Sequence, residues 1–171
     1  MIEVTVARLG LDSATNSFVV ILQERDGSRL LPIWIGRAEA EAIAAHLQSI
    51  KRERPLTHDL AKSLIVGLGA DLRRVSITKV EDSTYYAEMQ VVRGTDLVAV
   101  DARPSDSIAI ALRCGAPIFA AEELLMESNG ESEEAEKPDF PQKIRSDELS
   151  AEALQRHLSM LRPEDFGKFR P

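Results

Sequence analysis

The sequence predicts an α+β fold: one mixed, largely antiparallel sheet with interspersed helices, then a flexible linker and a C-terminal helix. Three observations carry this expectation. Segments with period-two alternation are joined by tight turns at Asp26-Gly27, Asp82-Ser83 and Gly94, which makes hairpins. Stretches with helical spacing are interspersed among them. Beyond residue 128 the composition turns acidic, with Asn129-Gly130-Glu131-Ser132-Glu133-Glu134-Ala135-Glu136 leading into Pro138 and Pro141. A chain of 171 residues can bury one full core and is too short for two large ones. The expected organisation is therefore an α+β domain over 1–128, an acidic linker over 129–149 and a helical tail over 150–171.

The elements follow in order. Ile2, Val4 and Val6 alternate with Glu3 and Thr5, as in a half-buried strand. Phe18-Val19-Val20-Ile21-Leu22 is a continuous apolar run, expected of a strand covered on both faces. Residues 30–35 return as a third strand, and Pro32 within it implies an edge position or an irregularity. After Gly36 a helix is expected with Ala40, Ile43, Leu47 and Ile50 on its buried face. Thr57 reads as the N-cap of a second helix whose buried stripe is Leu60, Ala61, Leu64, Ile65 and Leu68. Val75 and Ile77, then Tyr85, Ala87, Met89 and Val91, then 97–100, form a second run of strands. Ser105 reads as the cap of a helix over 106–113, apolar nearly all round and so buried, stopped by Gly115. Ile118 to Ala120 suggests a last short strand, with a helical turn over 122–126. In the tail, Leu154, His157, Leu158 and Leu161 share one side of a helix that Pro163 breaks.

Charge and composition narrow the function. The first 128 residues carry 14 Lys+Arg against 18 Asp+Glu, a net of −4, and the remainder carries 7 against 10. Tight non-specific duplex binding usually goes with a basic face and a pI above about 9, so this balance weighs modestly against a nucleic-acid function. The apolar run at 18–22 is far below the roughly 18 residues of a membrane helix. The N-terminus reads as a strand rather than a signal peptide, and the lone Cys114 permits no internal disulfide, so a reducing cytoplasm is expected. Phosphate-loop, His-Glu-x-x-His, Cys-x-x-Cys and Gly-x-Ser-x-Gly signatures are all missing.

Two segments carry candidate chemistry. Arg54-Pro55-Leu56-Thr57-His58-Asp59 gathers a guanidinium, an imidazole and a carboxylate at a helix start, where backbone N–H groups favour an anion such as phosphate. Ordinary capping explains every position except Arg54 and His58. Asp101-Ala102-Arg103-Pro104-Ser105-Asp106-Ser107 offers two carboxylates and an arginine, suited to holding Mg²⁺ or Mn²⁺ and a phosphate. Here too capping by Ser105, with Asp106 complementing the dipole and Arg103 paired to Asp101, is the plainer account. The likeness of the segments argues for more than capping, since each combines an Arg, a Pro, a hydroxyl and a first-turn Asp. Convergence of the two helix starts would create one anion cleft with two arginines and a histidine. The expected catalytic residues are His58, Asp59, Asp101 and Asp106; Arg54, Thr57, Arg103 and Ser105 are expected to bind substrate, and Asp101 with Asp106 to hold the metal. Glu39 and His46 share a helix face, which is more often a solvated edge. Trp34, Tyr85 and Tyr86 are possible base-stacking platforms, but at 5% aromatics Trp34 and at least one tyrosine are expected in the core. Cys114 reads as a buried, inert thiol.

Beyond these residues, Leu31-Pro32-Ile33-Trp34-Ile35-Gly36 with Glu39-Ala40 is similar to the opening signature of the bifunctional nuclease (BFN) domain family. Arg54 to Asp59 resembles a second block of that family. Tyr85-Tyr86-Ala87 with Asp101 to Ala111 resembles a third, and Gly115-Ala116-Pro117-Ile118-Phe119 completes the set. The resemblance runs in order over residues 1 to about 126. It implies a mixed α+β fold and nuclease activity on DNA and RNA, and it supplies no catalytic residue set. In some family members a helical segment that binds UvrB or UvrC follows the domain, and the tail here, with Phe166 and Phe169, does not match it convincingly.

Two functions follow. The first is a nuclease of low sequence specificity acting on DNA or RNA phosphodiesters with a divalent cation. The second is a non-catalytic module that binds an anion or a partner for regulation. Self-association as a homodimer is expected, because the Pro32 strand reads as an edge and the surface around Ile43 to Ile50 has apolar residues to spare.

Overall fold

The computed structural model describes residues 1–12, 17–50 and 53–127. The expected linker over 129–149 and tail over 150–171 lie outside the described residues.

Strands β1 (Ile2–Asp12), β2 (Ser17–Glu24) and β3 (Leu30–Ile35) form an antiparallel meander, followed by helices α1 (Arg37–Leu47) and α2 (Thr57–Gly67). A second antiparallel meander comprises β4 (Asp71–Glu81), β5 (Thr84–Arg93) and β6 (Asp96–Ala102). Helix α3 (Pro104–Cys114) then leads into the short strand β7 (Ile118–Ala120). β7 enters between the two meanders, antiparallel to β1 and parallel to β4, giving the order β3-β2-β1-β7-β4-β5-β6. The fold is therefore the mixed, mostly antiparallel α+β architecture expected.

Local chemistry explains the junctions. Asp82 and Ser83 adopt φ of 47° and 60°, the paired left-handed conformation of a primed hairpin turn. Gly115 closes α3 at φ 68°. Pro32 does lie in an edge strand. Residues Val20 and Leu22 of β2, Leu31 and Ile33 of β3, and Val75 and Ile77 of β4 turn alternate side chains into one core with Ile43 of α1 and Ile108 of α3. Each such side chain contributes about 1.5–3 kcal/mol by leaving water. α3 packs against α1, α2, β4 and β5, which is why its sequence is apolar nearly all round between Asp106 and Arg113.

Several expectations are corrected. Helix α2 has no buried residue: Leu60, Leu64 and Leu68 are exposed, and only Ala61 and Ile65 reach the core. The periodicity was genuine, but it straddles the contact line instead of marking it. In α1, Ala40 and Ile43 are buried whereas Leu47, its last residue, and Ile50 beyond its end are exposed. Trp34, expected in the core, is 54% exposed. Both helices also start earlier than their hydroxyls suggested. Leu56 and not Thr57 is the N-cap of α2, and Arg103 and not Ser105 is the N-cap of α3, with Pro104 at the first helical position where it loses no hydrogen bond. Among the described residues no helix is long and apolar enough to cross a membrane.

Candidate active site

All three helices carry an acid three residues past the N-cap: Glu39 in α1, Asp59 in α2 and Asp106 in α3. Acids favour this position because they offset the positive end of the helix dipole. Two of the three face a common cleft of about 600 Å³, lined by the first turns of all three helices, including Ala38, Glu39, Thr57, His58, Arg103 and Asp106.

Charged hydrogen bonds organise this cleft. His58 Nε2 lies 3.1 Å from Asp106 Oδ1, so Nε2–H donates to the carboxylate and Nδ1 is left as the acceptor. Arg103 donates Nε–H to Asp106 Oδ2 at 2.8 Å and Nη2–H to Oδ1 at 3.3 Å, while its Nη1 sits 3.0 Å from Glu39 Oε1. Three of its five N–H groups are thus engaged, and two remain for a ligand. The arginine side chain is 67% exposed, whereas Glu39 and Asp106 are largely withdrawn, at 20% and 30%. Burial pushes the Asp106 carboxyl up, but hydrogen bonds from Arg103 and His58, together with their charges, outweigh it and hold it below its ordinary value.

Asp59 is committed elsewhere. Its Oδ2 accepts the Leu56 backbone N–H at 2.9 Å, and its Oδ1 accepts Arg113 Nε–H at 2.6 Å. Arg113 is buried and also donates to the carbonyls of Ala109 and Ala42, which ties α3 to α2 and α1. The Arg113 hydrogen bond is the main reason the Asp59 carboxyl sits below its ordinary value. Arg54 lines an adjoining hollow of about 620 Å³ with His46, Asp59 and Arg113, separated from the cleft by Pro55 and Leu56, which border both. Burial, then the Arg113 charge, lowers the His46 pKa.

The nuclease resemblance now has independent support. The family model for the bifunctional nuclease domain matches residues 20–133, a stretch that contains every residue of the cleft. The chain belongs to the bifunctional nuclease domain family. It is also 39% identical over 164 residues to an uncharacterized protein of Mycobacterium tuberculosis, covering 96% of this chain and 97% of that one. Similarity to bifunctional nuclease 1 of rice (Oryza sativa subsp. indica) is 30% over 110 residues, 63% of this chain and 33% of the plant protein. Bifunctional nuclease 1 of Arabidopsis thaliana matches at the same identity over 63% and 34%.

Within this family domain the structure brings together His58, Arg103 and Asp106, with Thr57 on the cleft wall. It does not bring Asp101 to them. Asp101 pairs in register with Glu88, while the neighbouring pair Ala87 and Ala102 belongs to the core, so strand alternation turns Asp101 to the opposite face of the sheet. Arg103 accordingly pairs with Asp106 and Glu39 rather than Asp101. Asp101 and Asp106 form no common ligand pair, and among the described residues no group of three or more His, Cys, Asp or Glu is placed to hold a metal ion. Ser105 is buried and borders a separate small hollow. Sequence reasoning missed Glu39, which pairs with Arg103 across the cleft rather than idling beside His46. The available signal was its place in the first turn, the same as that of Asp59 and Asp106. Cys114 is half-buried and burial pushes its thiol up, as expected of an inert cysteine.

Proposed function

We propose that the protein is a nuclease that hydrolyses DNA or RNA phosphodiesters at the cleft formed by Glu39, His58, Arg103 and Asp106. The observation that carries this reading is the 3.1 Å His58–Asp106 bond beside an arginine with two unused donors, at the convergence of three helix N-termini. Asp106 holds His58 through its Nε2–H and so orients the ring, leaving Nδ1 to take a proton from the attacking water. The water oxygen bonds to phosphorus, the ester P–O bond breaks, and His58 returns the proton to the leaving oxygen. Arg103 offers its two unused N–H groups to the non-bridging oxygens, which carry the growing charge. Glu39 fixes the guanidinium from the other side. The overall acidic charge disfavours tight clamping of long duplexes and suits a turnover enzyme that releases its product. The cysteine content fits a reducing cytoplasm.

The test is cleavage of single-stranded and duplex DNA and RNA by the purified chain, with magnesium, with manganese and with chelator. His58→Gln and Arg103→Ala are expected to lose about 100-fold or more in kcat/KM, while Asp101→Asn, on the other face, stays near wild type. Phosphate binding to the cleft without turnover under any metal condition would replace the enzyme with an anion-binding regulatory module.

We also propose a homodimer, built on α2 rather than on the Pro32 edge. Leu56, Leu60, Leu64 and Leu68 are 41%, 52%, 56% and 67% exposed and recur every fourth residue. A stripe of this kind exposes on the order of several hundred Å², the size at which surface patches mark interaction sites. Two antiparallel copies of α2 would cover it about a two-fold axis. Light scattering at micromolar concentration should return a dimer mass, and Leu60→Glu with Leu64→Glu a monomer; a monomeric wild type sinks the idea.

A further inference from the structure

We propose that the hollow walled by Trp34 and Tyr85 holds one nucleobase of the substrate, which makes the substrate an unpaired strand rather than a duplex. This rests on the nuclease reading and specifies what enters the site.

Trp34 belongs to a strand whose neighbours Leu31 and Ile33 fill the core, and yet it leaves 54% of its surface in water. A large apolar ring placed so is ready to meet a ligand. The indole is also held in place, since Nε1–H donates to Asp12 Oδ2 at 3.2 Å. A held, exposed ring loses little freedom on stacking. Trp34 and Tyr85 border a hollow of about 260 Å³, and Glu39 and Arg103 border both it and the catalytic cleft. The volume falls just below the roughly 300–1,000 Å³ of pockets for drug-sized ligands and suits a single flat ring system. A base seated there would sit next to the guanidinium that takes the phosphate, which matches the base–sugar–phosphate order of a nucleotide.

The chemistry selects for unpaired bases. Within a duplex both faces of a base are covered by its neighbours, so stacking on Trp34 requires a single strand or an extruded base. Every base has a π-face, and of the polar groups on the rim Glu39 and Arg103 are paired with each other and turned to the phosphate, which leaves the Ser83, Thr84 and Ser105 hydroxyls, able to donate or accept, to meet the base edge. Low base preference follows.

Trp34 is the sole tryptophan, so the emission of the full chain reports on this one ring. The protein carrying His58→Gln, which stops turnover in the proposed mechanism, is titrated with fluorescently labelled oligothymidylate, with an abasic strand of equal length and with a blunt duplex, and the Trp34 variants are made in the same background. Emission and the anisotropy of the label are followed together, and cleavage is assayed separately. Oligothymidylate should quench Trp34 and bind at least tenfold more tightly than the abasic strand or the duplex. Trp34→Ala should bind oligothymidylate about tenfold or more weakly and the abasic strand as wild type does; Trp34→Phe should restore most of the difference. Binding without quenching, duplex binding as tight as single-strand binding, or an unaffected Trp34→Ala variant overturns the proposal and leaves the nuclease reading to its own cleavage assay. No association together with no cleavage overturns both.

Discussion

Helices α2 and α3 begin with nearly the same residues and put them to opposite uses. Each start combines an arginine, a proline, a hydroxyl and an aspartate at the third helical position. In α2 both oxygens of that aspartate are spent on the fold, one on the Leu56 amide and one on buried Arg113. In α3 the aspartate turns to the cleft and takes His58 and Arg103. The difference lies in what faces each helix start, not in the start itself: a buried arginine claims one carboxylate, whereas a half-buried histidine and an exposed arginine meet the other. A sequence motif at a helix N-terminus therefore fixes where a carboxylate stands, and tertiary neighbours decide what it does.

The contrast breaks most sharply by exchanging the two losses. Asp106→Asn should reduce cleavage by about 100-fold or more, because the amide no longer fixes the tautomer and orientation of His58, while stability changes by less than about 1 kcal/mol, as for other part-exposed pairs. Asp59→Asn should do the reverse: stability falls by about 2–3 kcal/mol as Arg113 loses its counter-charge in a buried setting, with kcat/KM little altered at temperatures where the protein is folded. Urea unfolding at constant m together with the cleavage assay checks both. Loss of activity without loss of stability in Asp59→Asn would erase the distinction.

Acid sharpens it. Both carboxyls are held below their ordinary values, so the stability they contribute is fully present above the unfolded value of about 3.9 and is lost as pH falls through the lower folded values. Wild type should lose stability as pH falls below about 4, and Asp59→Asn should show a flatter slope there. Equal slopes in the two proteins would remove Arg113 as the cause.

The smallest effect concerns the third helix start. A methyl group at Gly36 would collide with Glu39 Oε2, so Gly36→Ala should displace the carboxylate from Arg103 at little cost to the backbone, which already has φ of −73°. A few-fold rise in KM with stability unchanged is expected, read from steady-state cleavage.

Much of the architecture was legible in the sequence because alternation and turn chemistry are local: the Asp82-Ser83 turn, the edge proline and the largely apolar α3 each follow from a few neighbouring residues. The site was legible in part, through the His58 and Asp106 segments, because unusual residues at a helix start need a reason. What stayed hidden depends on faces. Asp101 is two residues from the Arg103 cap, yet strand pleating sends its carboxylate to the far side. The apolar spacing in α2 signals an amphipathic helix without saying which part of the stripe meets the core. Trp34 was expected inside because large rings usually are, and only its neighbours' alternation reveals otherwise. Glu39 needed the packing of α1 beside α3, a contact between distant parts of the chain.

Strand β7 has a consequence for how the molecule is made. It is three residues long, nearly the last element of the described chain, and lies at the centre of the sheet with β1 on one side and β4 on the other. During synthesis the two meanders can each close as local hairpins, but each keeps a second strand edge open, β1 in one and β4 in the other, until residues 118–120 arrive. The joining step thus waits for nearly the whole domain to leave the ribosome, and brings together segments more than 100 positions apart in the β1–β7 pairing. Contacts of such range are slow to form. A nascent chain stalled before Ile118 therefore presents two unjoined half-sheets, and that interval, rather than the finished fold, is where pairing with another chain is the main hazard.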